Sequence, residues 1–365
     1  MKLSKFPLVV HDEIFSRIQL SDLLCLSFLS EDIKQSIKVS QMKRFESIRS
    51  ISYDCVYEER ILVDFSTKKG GKERLMTITE ETTEDNYHKF NVSGRMIYFQ
   101  FDDRFGSPLR AIVYPWDREC IISCVHNHFL DLFGNSVDYQ WLSFGYKTPI
   151  PQLQNLSACI KLQIAPRLWI GNMNFLETLA NFLSTISVLK FVDLVICSKR
   201  EVFSPESIFY QAESIKCYRR YSSPDVLRHF QGRQAVLSCG ECEISDLIKF
   251  VNRWKSGEAF QKLEYLKIEI FNENIPKKQV LVGIGAKYTY ATRRHTLPKV
   301  YVNDFDEPNT DPITSHNYVV RQSDNRVASV LIEEKTFSFG VWDKTEEKFL
   351  RMGEYTENYT ENSSF

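Results

Sequence analysis

From about residue 138 onward, apolar strand-like runs recur at a spacing that few folds accommodate. They are Cys159–Ile164, Phe191–Ile196, Glu213–Tyr218, Gln234–Cys239 and Leu263–Ile270. Intervals of roughly twenty to thirty residues fall in the range of leucine-rich and similar solenoids. Helical segments lie between the runs. Residues 174–189 carry Leu176, Leu179, Ala180, Leu183 and Ile186, residues 224–230 are shorter, and 244–254 carry Leu247, Ile248, Val251 and Trp254 on one face. One strand with one helix cannot bury its own apolar face, so each unit needs its neighbours. No asparagine ladder follows the strands, which leaves two readings open: a degenerate repeat, or an ordinary α/β domain with crossover helices. Residues 326–332 and 336–342 read as a hairpin around Glu333-Glu334-Lys335, placed to cap the open end of the array.

Upstream, the pattern is shorter and alternating. Residues 47–53, 60–65, 74–79 and 95–101 read as strands, with Lys69-Gly70-Gly71-Lys72 as a turn. They predict a small, mainly antiparallel sheet, followed by a helix from Cys120 to Phe133 with Ile121, Val125, Phe129 and Leu132 on one face and Gly134 as its stop.

The first forty-odd residues are helical in rhythm. Pro7 suits a helix start, and Val10, Ile14 and Ile18 recur one turn apart. Ser21 and Ser30 are candidate N-caps for a second and a third helix. Leu20, Leu23, Leu24, Leu26, Phe28 and Leu29 crowd too much apolar surface into too few residues for the segment to bury alone. Either it caps its own chain or it docks on a partner.

This stretch resembles an F-box. The match rests on Pro7, on Ile14-Phe15 with Ile18, on Ser21-Asp22-Leu23-Leu24, on Leu26-Ser27 and on Ser30 with Lys34, in register without gaps. Phe6 stands where the family usually has leucine, and no tryptophan lies near Ile33. The rest of the chain resembles the nematode F-box group that carries an F-box-associated domain of type 2. The residue patterns and the resemblance together lead to the expectation of an α+β chain: a three-helix F-box over 1–45, a small mainly antiparallel sheet with a helix over 46–137, an irregular leucine-rich-repeat-like α/β horseshoe over 138–352, which the resemblance favours, and a polar, disordered tail over 353–365. The resemblance further implies a non-catalytic adaptor for ubiquitin-dependent degradation. Pro7, Leu8, Ile14, Ile18, Leu20, Leu23, Leu24 and Leu26 would bind the linker protein of a cullin–RING ubiquitin ligase, and the C-terminal domain would bind a protein target. The alternative is a stand-alone interaction scaffold that does not engage the ligase.

Composition agrees with a non-enzymatic intracellular role, cytoplasmic or nuclear. A formal net charge of −1 offers no long-range attraction for nucleic acid or an acidic membrane. No apolar run reaches the roughly twenty residues of a membrane span, and the first residues lack a secretory apolar core. Nine scattered cysteines read as reduced thiols in a reducing compartment. Cys239-Gly240-Glu241-Cys242 could be a redox pair or half a zinc site, but no second ligand pair follows it, so it reads as chance placement. Cys120, Cys124, His126 and His128 are zinc-ligand types, yet a helix would point them in different directions. Val282–Lys287 lacks the full spacing of a phosphate loop, and no catalytic triad spacing is present. The sequence therefore calls for no cofactor and no metal.

Overall fold

A computed structural model describes residues 7–57, 59–80, 87–101, 109–145, 149–163, 173–195, 203–218, 224–240, 242–271, 273–295 and 310–352. The chain divides into two compact units, one running to Cys159 and one from Ile160. The expected tail over 353–365 lies outside the described residues.

The first unit opens with α1 (Leu8–Ser16), α2 (Leu20–Ser27), α3 (Glu31–Ser40) and α4 (Met42–Glu46). Strands β1 (Ile48–Tyr57), β2 (Arg60–Thr67), β3 (Lys72–Glu80), β4 (His88–Val92), β5 (Arg95–Phe101) and β6 (Leu109–Val113) follow, then α5 (Arg118–Phe133) and β7 (Asp138–Ser143). Their order is β7-β1-β2-β3-β6-β5-β4. The pairs β1/β2, β2/β3, β5/β6 and β4/β5 are antiparallel, whereas β1/β7 and β3/β6 are parallel. The β2–β3 turn needs left-handed backbone, supplied by Gly70 and Gly71 at φ +89° and +98°. Helix α5 buries Ile121, Val125, Phe129 and Leu132, as its spacing requires, and stops at Gly134, φ +86°. Phe129 of this helix stacks on Tyr53 of β1, which stacks in turn on Trp141 of β7, and the hydroxyl of Tyr139 reaches the carbonyls of Phe129 and Gly134 at the helix end, 3.1 and 3.0 Å away. Strand β8 (Leu156–Gln163) spans the division between the units.

The second unit contains α6 (Met173–Ser184), β9 (Leu189–Val195), α7 (Ile208–Gln211), β10 (Ser214–Tyr218), α8 (Val226–His229), β11 (Gln234–Cys239), α9 (Ile244–Ser256) and β12 (Tyr265–Ile270). Then come α10 (Lys277–Gly283), β13 (Lys287–His295), β14 (Ile313–Val320), β15 (Arg326–Glu333), β16 (Thr336–Thr345) and α11 (Glu346–Arg351). Strands β9 to β12 are parallel neighbours, with Phe191, Ser214, Gln234 and Tyr265 in line. Arg233, just before β11, ties the array together. It donates to Glu213 beside β10 at 2.8 Å and to both carboxylate oxygens of Glu264 beside β12 at 2.8 and 3.0 Å. Beyond β12 the pairing reverses: β16, β15, β14 and β13 follow in antiparallel order. Helix α9 begins with a capping box between Glu243 and Asp246 and ends at left-handed Gly257. It buries Leu247, Val251 and Trp254, leaves Ile248 half-buried, and also buries Phe250, which the sequence reading passed over.

The expected fold class is thereby corrected. Among the described residues there are sixteen strands in mixed parallel and antiparallel pairing and eleven short helices. There is no separate three-helix domain followed by a small antiparallel sheet and a horseshoe. The N-terminal helices are fastened to their own unit, because Leu20, Leu23, Leu24 and Phe28 bury there, and Phe28 stacks on Phe99 of β5 at 5.0 Å. The first sheet is mixed because β6 and β7 return parallel to β3 and β1. The strand repeat ends at β12 because the C-terminal hairpin adds antiparallel strands alongside it.

Candidate functional site

The residues expected to bind a partner divide into two sets. Pro7, Leu8 and Ile14 are exposed, and Ile18 and Leu26 are half-buried. Leu20, Leu23 and Leu24 are core residues and are not available to a partner. The division follows from how α1 is held. Its inner face buries His11 and Phe15. Gln41 donates to Asp12 at 3.1 Å, and the Arg44 guanidinium donates to the carbonyl of Ile18 at 2.7 Å, just past the C-terminal end of α1. Apolar side chains of α1 remain outside this contact: Leu8, Val9 and Ile14 are 51%, 79% and 39% exposed. Leu29, in the turn after α2, and Val39 and Met42, on α3 and α4, add exposed apolar side chains. Sequence reasoning missed Val9, Val39 and Met42. Their only signal was being apolar off the buried stripe.

Two capping expectations can be compared directly. Ser30 caps α3, its hydroxyl accepting from the Ile33 amide at 3.2 Å. Ser21 does not cap α2; the helix begins earlier, at Leu20, and Ser21 is buried within it.

The Cys120, Cys124, His126 and His128 cluster is used structurally. His126 Nε2–H donates to the carbonyl of Gln154 at 2.8 Å, so its Nδ1 accepts from the Tyr53 hydroxyl at 2.9 Å. Ser27 gives its proton to the carbonyl of Leu24, so the imidazole of His128 donates to Ser27 Oγ, 2.7 Å away. Cys120 meets the guanidinium of Arg95. Among the described residues no three potential ligands converge.

These histidines give the first unit a defined pH response. Burial, with the Lys34 ammonium adding to it, pushes His128 from 6.5 down to about 4. Burial likewise lowers His126, opposed by its bond to Gln154. Hydrogen bonds from Lys34 and Lys38 bring Asp131 down to about 2. Both histidines are neutral when folded and titrate at their ordinary value when unfolded. The unfolded chain thus binds more protons between 6.5 and about 4, and stability falls as pH drops through that window. The Asp131 contribution is lost only lower, as pH falls from 3.8 toward about 2. The denaturation midpoint is expected to decline from near-neutral pH to about 4, and His128→Gln is expected to flatten that decline. An identical decline in the variant would show that His128 does not carry it.

The cysteine expectation is corrected at one place. Cys239 and Cys242 are joined by a disulfide, with Cα atoms 5.7 Å apart. The end of β11 and the residue before the α9 cap approach closely enough for their sulfurs to meet. Cys25, Cys55, Cys120 and Cys124 are free thiols. Cys197 lies outside the described residues. The Val282–Lys287 segment forms the end of α10 and the start of β13.

Among the described residues no helix is long and apolar enough to cross a membrane. No family model, no curated protein and no solved structure matches the chain.

Proposed function

We propose that the chain is a substrate-recruiting adaptor of a cullin–RING ubiquitin ligase, with its N-terminal helices docking on the ligase linker protein. One observation carries this reading. The F-box-like residues Leu8 and Ile14, with Val9 between them in sequence, stand in solvent on a helix that His11 and Phe15 anchor to the body, and Pro7 is exposed at its start. Single exposed apolar residues are ordinary; several on one short helix mark a contact surface. Leu20, Leu23 and Leu24 then act indirectly, by holding that helix in place. The remainder of the chain would present the target in the cytoplasm or nucleus, and the ligase's other subunits would supply catalysis.

The test is co-purification with the linker protein, comparing wild type with Leu8→Asp/Ile14→Asp. The double variant is expected to lose linker affinity by at least about a hundredfold, as loss of central apolar anchors does. Its thermal midpoint should not move, because both side chains are exposed. Failure of the wild-type chain to capture the linker would overturn the reading and leave the scaffold alternative.

A further inference from the structure

A cleft of about 530 Å³ opens in the first unit, at the start of α5. We propose that it binds a basic side chain, arginine or lysine, presented by a protein partner. Among the described residues three carboxylates line it, those of Glu59, Glu80 and Glu119, against one guanidinium, that of Arg118. Arg118 Nη1 is bonded to Glu80 at 2.5 Å, so the lining keeps an excess of two negative charges. The whole chain is nearly neutral, so this excess is local.

The aromatic part of the lining points to the same class of ligand. Trp116 is 79% exposed, an unusual state for so large a ring. Tyr114 covers one indole face, parallel to within 2° at 4.9 Å. The other face is open, and an indole face beside carboxylates suits a planar guanidinium or an ammonium. Pro115, Pro149 and Pro151 complete much of the rim. They have no backbone N–H, so they offer an anion nothing to bind. Trp141, also in the wall, is buried, and its indole nitrogen has no hydrogen-bond partner among the described residues.

Glu119 also lies in the first turn of α5, where a carboxylate favours the helix end. A merely structural role for it predicts that its loss lowers stability and leaves binding untouched.

The experiment is calorimetric titration of the full chain at low ionic strength with short glycine–serine peptides. One peptide carries a single arginine, one a lysine, and one citrulline, which keeps the shape of arginine without its charge. The arginine and lysine peptides are expected to bind at least about tenfold more tightly than the citrulline peptide, a difference that shrinks with added salt. Trp116→Ala and Glu119→Gln should each weaken arginine binding about fivefold or more, with an unchanged thermal midpoint for Trp116→Ala. Equal binding of citrulline, undiminished binding in both variants, or no binding of either basic peptide overturns the proposal. None of these outcomes depends on the ligase linker, so the two readings fail separately.

Discussion

Leu23→Asp is expected to unfold the first unit, not merely to free the N-terminal helices. Leu23 is fully buried, and its neighbours Leu20 and Leu24 are nearly so. The same helix carries Ser27, bonded to His128 of α5, and is followed by Phe28, stacked on Phe99 of β5. Removing the leucine alone costs about 2–5 kcal/mol through the cavity left behind. Placing a carboxylate there without a partner adds a penalty of several kcal/mol. Together these approach the whole stability of an ordinary domain, about 5–15 kcal/mol. Fluorescence of Trp141, a tryptophan of the first unit, would report the loss in a denaturant series. Leu23→Met, which conserves volume, should cost less than about 1.5 kcal/mol. If Leu23→Asp leaves that transition in place, the helices are not part of this core.

The second large effect is expected at Trp254. Its side chain is fully buried on α9, edge-on to Phe339 of β16 at 5.1 Å, with the Arg321 guanidinium over its ring at 5.1 Å. Arg321 is itself buried, held by Asp324 at 2.9 and 2.6 Å. Trp254→Ala should therefore cost about 3–5 kcal/mol, through the cavity and through exposing the flank of a buried cation. Trp254→Phe should recover part of this. Lys249→Glu, on the exposed face of the same helix, should shift stability by less than about 0.5 kcal/mol. A denaturant midpoint for Trp254→Ala close to wild type would mean that α9 does not pack on β16 as described.

The comparison of α9 with α2 shows how much of the molecule can be read from residues alone. In α9 the apolar period, the acidic start and the terminal glycine all agree, so its limits and most of its inner face are legible. In α2 the apolar residues Leu20, Leu23, Leu24, Cys25 and Leu26 run right round the helix, so periodicity cannot say which leucines face the body and which face water. Only the partners do: Phe99 and His128 lie 71 and 101 residues from Phe28 and Ser27. The same limit hid the parallel pairing of β1 with β7 and of β3 with β6, since alternation marks a strand and not its neighbour. The cleft at Trp116 was illegible for a related reason. Its carboxylates come from β3, from the turn before β2 and from α5, and no local spacing joins them. The bond between Cys239 and Cys242 had a local signal, the CxxC spacing, which alone does not separate a bridge from two thiols.

The reversal of pairing at β12 restricts how such a chain can change length over evolutionary time. Strands β9 to β12 start from equivalent places, with Phe191, Ser214, Gln234 and Tyr265 in line. A duplicated strand-and-helix module inserted among them would meet a matching surface on both sides. Past β12 it would not, since β16 already occupies that flank in the opposite direction. Lineages of this architecture should therefore vary in module number in the interior of the array and keep the C-terminal hairpin as a fixed end.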